Sequence, residues 1–479
     1  MAKLLGIDVG TSGCKVVLMD EHGSVLKSAS AEYPISTPRP LWSEQNPEDW
    51  WLGVLSCLKE IDEPSPDGVG LTGQMHGAVF LDSKNKVIRP AILWNDQRTS
   101  SECEEIDHAV GPDRIREITR NPPLTGFQLP KILWLRNNEP ENFNRLSRVL
   151  LPKDYIRLRL TGEYATEVSD ASGVGAFDVV GRKWSAEILD KLNLPQEMFP
   201  PVVESDVVTG TTKDVPNLAD GIAVVGGGGD QAAGAVGTGA VSPGIISVSL
   251  GTSGVVFTTI SAPNFDANGS AHTFAHANRG WHAMGVMLSC GGALRWYRDV
   301  FARGDSYDSI AQEAASVPPG CEGLTFLPYL TGERTPHNDP FARAVFAGAT
   351  LAHGKAHFSR AVFEGVSLGL LDGFRTLLAL GASAQEIRVT SGGAKSEFWR
   401  QMLADMFQAP CQRLQCDEGP AFGSAILAGV GIGLWPDVAK ATLQIVKISD
   451  VLTPNSVDYS ATYQRYSDLY RCTKEWNLG

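Results

Sequence analysis

Residues 4–13 of the chain read LLGIDVGTSG, and residues 245–254 read IISVSLGTSG. Each copy is a branched apolar run that stops at Gly-Thr-Ser-Gly. A second apolar run follows, KVVLMD after the first copy and VVFTTI after the second. Two such runs around a tight glycine turn predict a strand–turn–strand hairpin. A hairpin unit that returns half a chain later predicts two domains of related build. The length of 479 residues agrees, because a single core rarely grows beyond about 250–300 residues. The junction is placed near Pro243, giving domains over 1–243 and 244–479.

Glycine is the compositional outlier, with 50 residues in a chain otherwise ordinary at 43% hydrophobic and 20% charged. That excess fits tight turns and close backbone approach to a ligand. The net charge of −13 argues against nucleic acid as a partner, since its phosphates would be repelled. The eight cysteines include no CxxC pair, so reduced thiols in a cytoplasmic protein are expected. Asp8 interrupts the first apolar run, which leaves no signal-peptide core. The most apolar stretch, AFGSAILAGVGIGLW (421–435), is too short and glycine-rich to span a bilayer, so no membrane partner is expected.

Between the ribbons lie helices. NPEDWWLGVLSCLKEI has Asn46 as cap, Pro47 in the first turn and a stripe of Trp51, Val54, Leu55 and Leu58. EIRVTSGGAKSEFWRQMLADMFQAP reads as strand, double-glycine turn and a helix capped by Ser396. Tyr459, Tyr463, Tyr466 and Tyr470 line one face of a last helix, where core packing outweighs ligand stacking. Strands mixed with helices in both halves give an α/β class. The last helix is allowed to pack back on the first domain.

Two motifs mislead. GVGLTG (68–73) satisfies the dinucleotide pattern GxGxxG, yet QMHGAVFLD after it reads as turn and strand, not a helix start. GGAKS (392–396) lacks the glycine that a P-loop places before its lysine. The nine histidines form no HExxH motif, and no zinc site is expected.

Other segments suit phosphate chemistry. A Gly-Thr-Ser-Gly turn is by default a plain β-turn, but it also offers backbone N–H groups and hydroxyls to phosphate oxygens. Asp8, two residues before the first turn, would set a carboxylate beside it and recruit Mg²⁺ directly or through water. In AVVGGGGDQAAGAVGTG (223–239), Asp230 stands where a strand and four glycines meet a helix of small residues. It serves either as a helix cap or as acceptor of a substrate hydroxyl proton during phosphoryl transfer. SGGA (391–394) gives a side-chain-free surface suited to a ribose or purine.

Taken in order, Asp8 with GTSG, GQMHG (73–77), LWNDQR (93–98), LPKDYIRLRLTGE (151–163), GGGGDQAAGAVG, the second LGTSG, LPYLTGERTPH (327–337) and SGGAKSEFWRQMLAD (391–405) resemble the FGGY carbohydrate kinases over residues 4–435. The likeness is strongest to the xylulose-phosphorylating branch of bacteria. It implies two actin-like (ribonuclease H-like) domains with ATP in the cleft between them, a sugar deep in the first domain and a homodimer as the expected assembly. By position it implies Asp8 near Mg²⁺ and the phosphates, and Thr11 and Ser12 in the first phosphate loop. Gly251 and Thr252 fall in the second, with Gly291, Gly392 and Gly393 approaching the nucleotide. Met75 and His76 would contact the sugar, and Asp230 would be the catalytic base. Trp42, Gln231, Asn95, Asp96 and Arg98 would neighbour the sugar pocket. Gln231 departs from the asparagine frequent at this place in the xylulose branch. The implied reaction is transfer of the ATP γ-phosphoryl group to D-xylulose. The alternatives are another ketose or polyol (ribulose, fuculose, glycerol) or a non-catalytic actin-like ATP-binding module.

Overall fold

The computed structural model describes residues 2–476. It folds the chain into two compact units. The first gathers the chain up to Val241 with Thr273–His282 and Glu418–Val446; the second gathers Ser242–His272, Ala283–Asp417 and the chain from Lys447 on.

The first unit is built on a seven-stranded sheet. Its leading strands, Lys3–Val9, Gly13–Asp20 and Val25–Glu32, form the expected antiparallel meander, with Val9 opposite Cys14 across the Gly-Thr-Ser-Gly turn. On the other side of Lys3–Val9 lies the parallel strand Gly68–Gly73, followed by Ala223–Val225 and the antiparallel Val208–Thr211. The run GVGLTG is thus a buried central strand and not a nucleotide-binding turn. A two-residue strand, Gly228–Gly229, also pairs with Gly68–Gly73.

Alternation assigns the two faces of Lys3–Val9. Leu5, Ile7 and Val9 enter a core shared with Trp50, Val54, Leu58 and Ile61 of helix Pro47–Ile61. Asn46 caps that helix as expected, its side chain accepting from Glu48 N–H at 3.2 Å. The buried stripe differs by one position: Trp50 is fully buried, whereas Leu55 is only partly so. Trp50 turns inward because Gln45 accepts its indole N–H at 3.0 Å. Gly6 lies on the opposite face, against helix Gly419–Gly431. The apolar segment read as too short for a bilayer is this buried helix, and no helix among the described residues is long and apolar enough to cross a membrane.

The second unit carries a seven-stranded sheet of the same plan. Hairpin Gly244–Leu250 and Gly254–Ile260 repeats the first, with Leu250 opposite Gly254. Ala384–Thr390 is its parallel neighbour, as Gly68–Gly73 is in the first unit, and a second parallel strand, Cys411–Leu414, is followed by an antiparallel one, Ile448–Leu452. Helix Ser460–Lys474 joins this second unit rather than the first. Tyr466 Oη lies 2.8 Å from Tyr329 Oη, and Tyr470 donates to Asp339 at 2.9 Å. Return to the first unit is made instead by Glu418–Val446, because a helix of glycine and alanine lets backbone meet backbone.

A Cβ on Gly70 would stand 1.8 Å from the Ser424 carbonyl oxygen. Gly70→Ala is therefore expected to destabilise the first unit by about 1–3 kcal/mol or more through overpacking. Thermal unfolding would read this as a fall in Tm of several degrees; an unchanged Tm would contradict the packing described.

Candidate functional site

The register of the first sheet brings the two acids together. Asp8 is level with Thr72, and Thr72 is level with Gly228, two residues before Asp230. Asp230 begins helix Asp230–Thr238, where the helix dipole favours an anion. Its Oδ1 accepts the Gln231 N–H at 2.8 Å, and the Gln231 side chain also bonds the carboxylate. Burial raises the Asp230 pKa to about 6, against the lowering effect of Gln231. Burial and the Asp230 charge raise Asp8 to about 7, partly opposed by Lys15. Asp230 ionises first, so their mutual repulsion falls on Asp8.

Asp8 Oδ1 is buried without a hydrogen-bond partner. A carboxylate oxygen left unbonded beside a second carboxylate suits a hard divalent cation. Mg²⁺ characteristically takes one or two protein carboxylates and fills its shell with phosphates and water. Among the described residues no group of three or more His, Cys, Asp or Glu could hold a metal ion by itself.

The first hairpin is held from beneath. The Gln45 amide donates to Thr11 O at 2.7 Å, and Tyr33 Oη donates to Gly10 O at 2.6 Å. Thr11 Oγ1 donates to Gln74 at 3.2 Å and accepts the Trp94 indole N–H at 2.9 Å. The hydroxyl expected to serve phosphate is thus engaged in fixing the turn, whereas Ser12 is exposed. Gln45, Gln74 and Trp94 were not legible as functional: each looks like an ordinary polar or aromatic residue of a loop or strand end.

Met75 and His76 come directly after the central strand. Met75 packs against Gly229, at which a Cβ would lie 3.0 Å from its sulfur. His76 takes a left-handed backbone (φ 67) and stacks on Phe127 at 4.8 Å. Its Nδ1 lies 2.7 Å from Gly173 O. A carbonyl only accepts, so Nδ1 carries a proton. Lys131, wholly buried, donates to His76 O at 2.8 Å and Gly126 O at 2.6 Å, and burial lowers its pKa to about 7. The structure thus brings Asp8, Met75, Asp230 and Gln231 to one end of the sheet, with His76 next along the chain from Met75.

Trp42 belongs to a different cluster. Arg98 lies 3.6 Å over its ring, and Trp134 meets it edge-on at 5.4 Å. Asp96 accepts from Ser43 N–H at 2.7 Å and from Arg98, which also pairs with Glu44 at 2.7 Å. Asp96 and Arg98 are therefore an ion pair that fixes the loop, and Asn95 beside them is exposed.

In the second unit, Gly251, Thr252, Gly291, Gly392 and Gly393 line one cavity of about 620 Å³, together with Tyr307 and Trp399. That volume is ordinary for a small-molecule site. Gly291 N–H donates to Gly251 O at 2.8 Å and Gly292 N–H to Thr252 O at 3.0 Å. The helix Gly291–Phe301 therefore holds the hairpin with its first N–H groups. A Cβ at Gly291 would stand 2.7 Å from Gly251 O, so the close approach there is to the hairpin. Gly392 faces open space.

The two units share one sheet plan, each with a glycine hairpin at a sheet end. The model of the "FGGY family of carbohydrate kinases, N-terminal domain" matches residues 3–237, and that of the C-terminal domain matches residues 246–432. The chain belongs to this family and is an ATP-dependent sugar kinase. It is 44% identical to a xylulose kinase of Escherichia coli (98% of this chain, 97% of that one). It is 40% identical to a xylulose kinase of Lactococcus lactis (99% and 98%). A crystal structure of a xyloylose kinase from Brucella ovis superposes with a TM-score of 0.93 at 36% identity, covering 99% of this chain and 100% of that one.

The raised Asp8 value carries a sign. The unfolded carboxyl ionises near 3.8 and the folded one near 7, so rising pH between them favours the unfolded chain. In EDTA without nucleotide, Asp8→Asn is expected to raise Tm at pH 8, and the gain should shrink toward nothing as pH falls to about 4. A gain independent of pH would refute the assigned cause.

Proposed function

We propose that this kinase phosphorylates D-xylulose at its terminal hydroxyl, giving D-xylulose 5-phosphate and ADP. The substrate is supported by the two bacterial xylulose kinases that match nearly the whole chain at 40% and 44% identity. The observation that carries the chemistry is the position of Asp230, a desolvated carboxylate at a helix start beside Asp8.

In this reading the Asp230 carboxylate takes the proton of the sugar hydroxyl as its oxygen bonds to the γ-phosphorus. The bond from phosphorus to the β,γ-bridging oxygen breaks, and ADP leaves. With a pKa near 6, Asp230 is mostly ionised at neutral pH and close enough to working pH to accept a proton well. Asp8 would hold Mg²⁺ directly or through water, and the bound ion would supply positive charge that offsets the phosphates. Met75 and His76 orient the sugar. Ser12 and the backbone N–H groups of the first hairpin, and Gly251 and Thr252 of the second, bind phosphate oxygens. Gly392 and Gly393 offer a flat wall to the nucleoside. Gln231, bonded to Asp230 where the xylulose branch often has asparagine, favours as second reading a kinase for another ketose or polyol. The working compartment is the cytoplasm, where ATP is supplied.

A coupled ADP-release assay over D-xylulose, ribulose, fuculose, gluconate and glycerol tests the substrate. D-xylulose should give the highest kcat/KM; a higher value for any other compound would replace it. Asp230→Asn is expected to lower kcat by about 10²–10⁴-fold while ATP still binds. In the unaltered enzyme, log kcat/KM should fall with unit slope as pH drops through about 6, because protonation removes the base. A profile flat to pH 5 would take Asp230 out of the role.

A further inference from the structure

Five charged side chains lie buried together in the first unit, and no step proposed above uses them. Lys153, Asp154, Arg157, Glu167 and Asp170 all have fully buried side chains. The Lys153 ammonium is 2.7 Å from Asp154, 3.3 Å from Asp170 and 3.7 Å from Glu167. Burying so many charges brings little stability, since desolvation offsets the attraction. What such a network does supply is fixed geometry, and its outward bonds show what it fixes.

Those bonds converge on the chain just before Asp230. The Arg157 guanidinium donates to Val225 O at 2.8 Å and to Gly226 O at 2.7 Å, a bidentate grip on the entry to the glycine run. At the other end, Ser169 Oγ accepts the Gly229 N–H at 3.1 Å, one residue before Asp230. Ser169 in turn donates to Glu167 at 2.9 Å, and Ser205 Oγ donates to the other Glu167 oxygen at 2.7 Å. Between these grips Gly227 has φ 74, and a Cβ there would stand 1.8 Å from Leu71 O. Four successive glycines have no side chains with which to hold a fixed path. Their path is set from outside.

We propose that Ser169, backed by Glu167 and Arg157, is a positioning residue for Asp230. It fixes the Gly228–Gly229 peptide, one link before the residue that bears the carboxylate, and so helps set the distance from that carboxylate to the reacting hydroxyl. The proposal rests on the reading of Asp230 as the base. Misplacement of a catalytic group by about 1 Å can cost 10²-fold in rate. Ser169→Ala is expected to lower kcat by about tenfold to a hundredfold with the KM values for ATP and sugar little changed.

A double-mutant cycle on the full chain decides the matter, with kcat measured for the unaltered enzyme, Ser169→Ala, Asp230→Asn and the double variant. If Ser169 acts through Asp230, Ser169→Ala changes nothing further once Asp230 is Asn. If the two losses multiply, Ser169 acts independently and the proposal fails, with the role of Asp230 intact. If Asp230→Asn alone leaves kcat unchanged, it is the reading of the base that falls. Should Ser169→Ala fail to fold, Ser205→Ala loosens Glu167 from the far side and enters the same cycle. Its kcat loss should likewise vanish in the Asp230→Asn background, and a loss that persists there would overturn the proposal.

Discussion

Two carboxylates share one water-poor sheet end, and the first unit is arranged around their repulsion. Left to solvent, Asp8 and Asp230 would separate or hydrate. Here parallel register sets Asp8 level with Gly228, two residues before Asp230, and burial keeps the pKa values of both acids near neutrality. A strained pair of this kind persists only where its surroundings are stiff. The stiffness comes from polar groups bonded in fixed pairs. Gln45, Gln74, Tyr33 and Trp94 hold the hairpin beside Asp8, and Arg157 and Ser169 hold the glycines before Asp230. Stability surrendered at the acids is the counterpart of their readiness to take a proton or a cation.

The same sheet plan, built twice, carries different chemistry. The position of Asp8, two residues before the first glycine of its turn, is occupied by Ser249 in the second hairpin. Ser249 Oγ lies 3.1 Å from Ser391 Oγ, a neutral contact between adjoining parallel strands. Where the first unit places two carboxylates together, the second opens a cavity of about 620 Å³ lined by glycines and aromatic rings together with Arg295, Asp308 and Lys395. Two copies of one scaffold thus present different surfaces, paired carboxylates in the first and an open cavity in the second.

What was legible in the sequence was local. Glycine turns between branched apolar runs identify both hairpins, and Asn46 with Pro47 marks a helix start, because such signals need only a few neighbouring residues. GVGLTG is excluded as a nucleotide-binding turn by its downstream neighbour QMHGAVFLD, which starts no helix. Long-range facts were hidden. Nothing near Asp8 announces that Gly228 will lie in its register, since that pairing depends on Gly68–Gly73 lying between them. Lys131, Lys153 and Arg157 look like solvent-facing cations of amphipathic helices, yet all are fully buried among carbonyls or carboxylates. The contacts of Trp42, which lies under Arg98 and edge-on to Trp134, were likewise hidden. The family resemblance located the blocks without revealing which of their residues hold the others in place.

Helix Gly419–Gly431 lies against Lys3–Val9 and Gly68–Gly73 with almost no side chains between. The sheet that leaves the ribosome first is therefore finished by one of the last segments to be made. Until that segment arrives, the face bearing Gly6 and Gly70 has exposed backbone and no cover. A chain ending before Glu418 leaves that face uncovered, and the first unit closes only when Glu418–Val446 is added.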